Sequence, residues 1–222
     1  EKIEIPADWA NAQDEGLEFK DKTEGTKEVL DFVNNIQNKV SAQEGNSLPV
    51  SAFKDYVDGS TPSGTAAYEK RGIAVNVPQW NPDNCIQCNF CSYVCPHGAI
   101  RPFAFTADEA AKAPEGMLTK PMTGMPDYKF GIQVSVLDCT GCGSCANVCP
   151  GMKGEKALEM KPIAEELDRQ KFFDYAVKLP EKDDVVAKFK ETTVKGSQFK
   201  KPLLEYSGAC PGCGETPYAK LI

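Results

Sequence analysis

No run in the 222-residue chain approaches the about 18 consecutive apolar residues of a membrane helix, so a helical span is excluded. The start, Glu1-Lys2-Ile3-Glu4, lacks the basic and apolar regions of a secretory signal, and with no span the expectation is a cytoplasmic protein. Positive charge is also in short supply: 25 Lys and Arg against 32 Asp and Glu leave a net charge of −7. That balance argues against a nucleic-acid partner, which calls for clustered cations. His97 is the only histidine. Hydrophobic residues make up 41% and charged residues 26%, near the globular norm, so a wholly disordered chain is excluded too.

Ten cysteines, 18 glycines and 16 prolines stand against these absences and predict a loop-rich chain with short elements. Eight cysteines form two identical runs, Cys85-x2-Cys88-x2-Cys91-x3-Cys95-Pro96 and Cys139-x2-Cys142-x2-Cys145-x3-Cys149-Pro150. Disulfides would need short, strained loops, and nothing places the chain in an oxidising compartment. Zinc takes four thiolates, but its sites usually join one Cys-x2-Cys knuckle to another elsewhere in the chain. A third cysteine at the same spacing suits a larger object, a cubane with one thiolate at each of three corners. In such runs the fourth cysteine ligates the other cluster of a pair. Cys85, Cys88, Cys91 and Cys149 are therefore expected to hold one [4Fe–4S] cluster. Cys139, Cys142, Cys145 and Cys95 are expected to hold the second.

The flanking residues suit that chemistry. Gly141 and Gly143 let backbone approach the second site. Ile86, Phe90, Tyr93, Val94, Ile100, Val134, Val136, Leu137 and Val148 are expected to form an apolar jacket, which is equally a plain core. Pro96 and Pro150 each end a one-turn helix. The smaller second loop, open to amides and water, is expected to make its cluster the easier to reduce.

The expected fold is α+β: a two-cluster, ferredoxin-like module of pseudo-twofold hairpins with short helices and an insertion, flanked by extended and helical segments. Helix is predicted over 26–40 from Val29, Val33, Ile36 and Val40. A strand is predicted from the alternation of Ile73, Val75 and Val77. The insertion spans 106–127, with a short helix at 108–113. Pro162 opens a helix to about Lys178 that buries Ile163, Leu167, Phe172 or Phe173 and Ala176, and another short helix lies near 184–190. His97 is expected to face solvent in a turn. Trp9 and Trp80 are expected to pack as buried aromatics, Glu69-Lys70-Arg71 to pair with nearby acids, and Lys195, Lys200 and Lys201 to form a solvated face.

The last two cysteines, Cys210 and Cys213, enclose Pro211-Gly212. Further blocks are Leu48-Pro49-Val50-Ser51-Ala52-Phe53; Gly64-Thr65-Ala66-Ala67-Tyr68-Glu69-Lys70-Arg71-Gly72-Ile73-Ala74; Val77-Pro78-Gln79-Trp80; and Gly208 to Tyr218. With the cysteine runs, these resemble an internal segment of the pyruvate:ferredoxin (flavodoxin) oxidoreductases, also called pyruvate synthases.

The resemblance implies an enzyme that converts pyruvate and coenzyme A to acetyl-CoA and carbon dioxide, of which this chain is a non-catalytic fragment passing electrons to ferredoxin or flavodoxin. It implies that Cys210 and Cys213 supply two ligands of a third, proximal [4Fe–4S] cluster. Thiamine diphosphate with Mg, and coenzyme A, belong to the other domains of a homodimeric parent. It divides the chain into the end of a preceding domain (1–47), an extended linker (48–72), the two-cluster domain (73–162), a helical or irregular connector (163–207) and the start of the thiamine domain (208–222). The competing class is a free-standing polyferredoxin-type carrier or scaffold, which has no use for an unpaired terminal Cys-x2-Cys.

Overall fold

The computed structural model describes residues 4–11 and 20–221; parts of the expected 1–47 segment, 1–3 and 12–19, lie outside the described residues. The chain divides into two compact units, Glu1–Tyr68 and Glu69–Ile222.

In the first unit, α1 (Lys27–Phe32) starts where the Thr26 hydroxyl accepts the Val29 N–H. A π-helical turn, Val33–Gln37, carries the chain into α2 (Asn38–Ser41). Val33 and Ile36 are buried as the periodicity predicts, but Val40 is exposed, because the helix ends one residue later. Segment 48–72 is not extended throughout: 3₁₀ turns form at Val50–Phe53 and Thr65–Tyr68. The Tyr68 hydroxyl donates to Glu24 O at 2.7 Å.

The second unit holds two antiparallel ladders. β1 (Asn76–Trp80) pairs with β5 (Leu158–Pro162), so a strand before the first cysteine run meets one after the second. β2 (Ile100–Phe105) pairs with β4 (Lys129–Val134), and β3 (Lys120–Pro121) extends that ladder in the order β2-β4-β3. α3 (Phe90–Tyr93) and α5 (Ser144–Val148) are the single turns inside the runs. The expected strand at 73–77 begins only at Asn76, and its buried face is shifted. Ile73 and Val75 are exposed while Ala74 and Val77 are buried, since the chain before Asn76 follows a turn at Gly72 rather than a ladder.

The insertion is ordered. α4 (Ala107–Ala111) opens with a capping box between Thr106 and Glu109. β3 follows, and Met122 enters the core. After β5 come α6 (Ile163–Glu166), a 3₁₀ turn at Leu167–Arg169 and α7 (Gln170–Ala176). Phe172, Phe173 and Ala176 are buried, whereas Leu167 is exposed because the 3₁₀ turn rotates it outward. α8 (Asp183–Phe189) falls where a helix is expected, α9 (Val194–Ser197) does not, and α10 (Thr216–Leu221) follows the terminal cysteines.

The main core lies between the ladders. Trp80, Ile100, Phe130, Ile132, Val134 and Leu158 pack together with Val185, flanked by Phe189 and Phe199. Phe130 is set edge-on to Trp80 at 6.1 Å and to Phe199 at 6.3 Å. Among the described residues, no helix is long and apolar enough to cross a membrane.

Candidate metal centre

The two cysteine runs adopt matching backbone paths. Gln87 and Gly141, each two residues beyond the first cysteine of its run, have positive φ (59° and 70°). Each donates its backbone N–H to that cysteine's sulfur at 3.4 Å, Gln87 to Cys85 and Gly141 to Cys139. Asn89 and Gly143 also match: both have positive φ (65° and 75°) and cap the one-turn helix that follows. Glycine is needed at Gly141 for space as well, because a Cβ there would stand 2.9 Å from Asn76 O. At Gly143 nothing lies within 4 Å, so this rim of the second loop is bare.

Two cavities divide the eight cysteines. Cys85, Cys88, Cys91 and Cys149 line one, with Trp80, Asn89 and Leu158 among its other walls. Cys95, Cys139, Cys142 and Cys145 line the other, with Pro78, His97, Ile100, Val134 and Thr140. Each void is about 20 Å³ and has scarcely any nitrogen or oxygen exposed to it. A water would enter such a space but find too few polar partners to be held, since a buried water needs two to four. The walls suit a soft, sulfur-liganded group instead.

Burial governs the thiols. It pushes Cys139 up to about 12, against the Gly141 N–H that lowers it, and pushes Cys91 and Cys145 well above the ordinary thiol value. Sulfurs so placed require metal coordination to carry thiolate charge. Among the described residues, no two cysteines are joined by a disulfide.

The two sites differ in their surroundings. The Gln87 side chain is buried; its Nε2 donates to Pro121 O at 2.8 Å and its Oε1 accepts the Thr123 N–H at 2.9 Å. Asn89 Nδ2 donates to Lys195 O at 2.9 Å. The first loop is thus tied to the insertion and to the connector. Lys120 Nζ donates to Pro82 O (2.6 Å) and Cys85 O (2.9 Å), its charge favours the Cys85 thiolate, and Lys195 lies within electrostatic reach of Cys85 and Cys88. Beside the second site stands Asp138, an acid that disfavours the Cys139 thiolate and is itself bound by Lys70. Cys142 is exposed.

His97 does not face solvent. It is 2% exposed, with Nδ1 2.8 Å from Ser207 O, because residues 205–207 fold back over it. The fold-back is held by Tyr206 N–H donating to His97 O at 2.8 Å, and by Arg101, which sequence reasoning missed. Arg101 is buried on β2, donates to Gly98 O (2.7 Å) and Glu205 Oε1 (2.6 Å), and lies 5.4 Å from the Phe173 and Tyr206 rings. The apolar jacket is also incomplete. Ile100, Val134 and Val136 are buried, but Ile86, Phe90 and Val148 reach solvent from the loop rims. Trp80 is buried as expected, whereas Trp9 is 66% exposed.

Lys70 pairs with Asp138 and Arg71 with Glu69 at 3.2 Å, as the connector reading expects. Lys200 and Lys201 pair with Glu191 and Glu205, and Lys195 Nζ sits 4.0 Å above the Phe189 ring. Cys210 is exposed, and the Cys213 thiol is held below its ordinary value by hydrogen bonds at Thr216. A Cβ at Gly212, between them, would stand 3.3 Å from Cys142 Cβ, so the terminal pair lies beside the second site.

A family model described as a 4Fe-4S dicluster domain matches residues 84–152. The chain carries two [4Fe–4S] clusters. A second model, EKR, described as a domain of unknown function, matches residues 18–74 and includes Glu69-Lys70-Arg71. All of the chain is 48% identical over 221 residues to a pyruvate-flavodoxin oxidoreductase of Enterobacter agglomerans. It is 50% identical over 225 residues to a pyruvate:ferredoxin oxidoreductase of Moorella thermoacetica. A mitochondrial pyruvate dehydrogenase [NADP(+)] of Euglena gracilis is 42% identical over 226 residues. The chain spans 18% of the first two relatives and 12% of the third. It matches a segment of the pyruvate:ferredoxin (flavodoxin) oxidoreductases, as its cysteine and Tyr68-Glu69-Lys70-Arg71 blocks imply.

Proposed function

We propose that this chain is the electron-relay segment of a pyruvate oxidoreductase, with Cys85, Cys88, Cys91 and Cys149 holding one cluster and Cys139, Cys142, Cys145 and Cys95 the other. The observation that carries this reading is the three-plus-one division of the cysteines between two apolar cavities. The sulfurs stand around a void: among the described residues, no three His, Cys, Asp or Glu side chains converge as a single ion requires. When bound, the two clusters supply one-electron redox centres.

The protein's own part is to bind, insulate and bias. The matched Gln87 and Gly141 N–H groups point at thiolate sulfur and favour its negative charge. The ladders β1–β5 and β2–β4 act as the two halves of a ferredoxin-like module and exclude water from the cavity walls. Lys120 and Lys195 make the surroundings of the first site the more positive. An electron arriving beside Cys142, where the Cys210–Cys213 pair lies, is therefore drawn on toward Cys85.

On this reading 73–162 is the relay domain, 163–207 its connector, and 208–222 the start of a thiamine-binding domain in which Cys210 and Cys213 serve a third cluster. Residues 1–47 close a preceding domain and 48–72 link it. The complete protein oxidises pyruvate with coenzyme A, and ferredoxin or flavodoxin takes the electrons.

Iron and sulfide analysis of anaerobically prepared protein, with EPR during reductive titration, tests the reading. About eight irons per chain and two reducible four-iron centres are expected. Two zinc ions per chain, with no iron taken up on anaerobic reconstitution, would overturn it.

A further inference from the structure

Trp80 is 4% exposed, and its indole nitrogen is fully buried without a hydrogen-bond partner among the described residues. Indole N–H is a donor only, and leaving such a donor unpaired in a protein interior costs about 1–3 kcal/mol. Native structures rarely carry that cost without a reason. The ring cannot turn to find another partner, because Phe130 meets it edge-on and Leu158 faces it across the β1–β5 ladder. Trp80 forms part of the wall of the cavity lined by Cys85, Cys88, Cys91 and Cys149. The indole N–H faces the Cys85 sulfur on that wall without meeting it in a fully formed hydrogen bond.

The internal repeat sharpens the case. Trp80 stands five residues before Cys85, and Val134 stands five residues before Cys139. Their ladder partners match as well: Trp80 faces Leu158 and Val134 faces Ile100. Val134 lines the second cavity as Trp80 lines the first. The same place in the two halves therefore holds a donor in one and a hydrocarbon in the other.

We propose that the Trp80 indole N–H donates a hydrogen bond to sulfur of the group bound in the first cavity, a thiolate or a cluster sulfide, and so raises the reduction potential of that cluster alone. The proposal rests on the reading that this cavity holds a [4Fe–4S] cluster. A hydrogen bond to sulfur withdraws electron density and favours the more negative, reduced state. Val134 offers the second cluster no such bond at this position, where the two halves differ, while Thr140 Oγ1 and His97 Nε2 are, among the described residues, the buried unpartnered atoms of the second cavity's wall.

The test is an EPR-monitored redox titration of the full chain with its clusters loaded anaerobically. The first-cavity signal is assigned by its loss in Cys149→Ser. Trp80→Phe is expected to keep both clusters and to weaken reduction of the first about tenfold, about 59 mV for one electron, leaving the second unchanged. An unchanged first potential with full iron content, or an equal shift in both clusters, overturns the proposal. The wild-type chain gives a second measurement that does not depend on how the variant folds. With indole-¹⁵N tryptophan, ENDOR of the reduced first cluster should show a nitrogen coupling and an exchangeable proton, both retained in Trp9→Phe. Two reducible clusters with neither coupling would sink the role of Trp80 while leaving the relay reading intact; iron-free protein would sink the relay reading itself.

Discussion

Gln87 and Gly141 hold the same place in two loops and make the same 3.4 Å N–H to sulfur bond, yet only one of them has a side chain. A left-handed backbone at a non-glycine residue costs about 1–2 kcal/mol. At Gln87 that cost is offset by two buried hydrogen bonds that tie the first loop to Pro121 and Thr123. The second loop uses glycine, packed against Asn76 at Gly141 and bare at Gly143. One repeat is built to be anchored, the other to be approached.

Gln87→Ala is therefore expected to keep the strain and lose both anchors, at a cost of about 2 kcal/mol. Gln87→Gly should recover about 1 kcal/mol of that by relieving the backbone. Hydrogen exchange at the Thr123 amide reads the anchor directly. Faster exchange in both variants is the expected result; unchanged protection would contradict it.

Arg101 clamps the fold-back of residues 205–207 over His97. Arg101→Met should leave the partly buried Glu205 with only the exposed Lys201 as cation and cost about 2 kcal/mol. Arg101→Lys should recover only part, because one ammonium cannot bond Gly98 O and Glu205 in the planar geometry of a guanidinium. Limited proteolysis should then cut between Phe199 and Cys210 sooner than in the parent chain. Equal cleavage rates would show that the clamp does not hold this segment.

How much of this was legible in the sequence depended on how far apart the partners lie. The cysteine runs were readable because ligands three and four residues apart declare their geometry locally. The sequence alone places His97 in a surface turn, because its cover comes from Ser207 and Tyr206, over a hundred residues on in a weakly patterned connector. Arg101 went unnoticed because Glu205 is equally remote. Positive φ is advertised by Gly141 and Gly143 but hidden at Gln87 and Asn89, where buried side-chain bonds stabilise it. Ile73 and Val75 suggested a buried strand face, yet the small Ala74 occupies it.

The loop sizes alone suggested that the second cluster would be the easier to reduce, and the exposure of Cys142 points the same way. The charges argue the opposite. Lys120, Lys195 and the Trp80 N–H lie by Cys85 and Cys88, and Asp138 lies by Cys139. The first cluster is therefore expected to have the higher potential. Lys195→Gln, which leaves the Asn89 bond to the Lys195 carbonyl in place, should lower it by roughly 1 kcal/mol, about 40 mV for one electron. A redox titration giving the second cluster the higher potential, or no shift on Lys195→Gln, would contradict this ordering.

The proposed ligand sets exchange the fourth cysteine between the two runs, and a pair of serine variants tests that exchange. Mössbauer and EPR spectra of anaerobically prepared Cys95→Ser and Cys149→Ser should show opposite losses. Cys95→Ser should damage the cluster held by Cys139, Cys142 and Cys145, and Cys149→Ser the one held by Cys85, Cys88 and Cys91. If each serine instead damages the cluster of its own run, the division of cysteines between the two cavities is not the division between the two clusters, and the account fails.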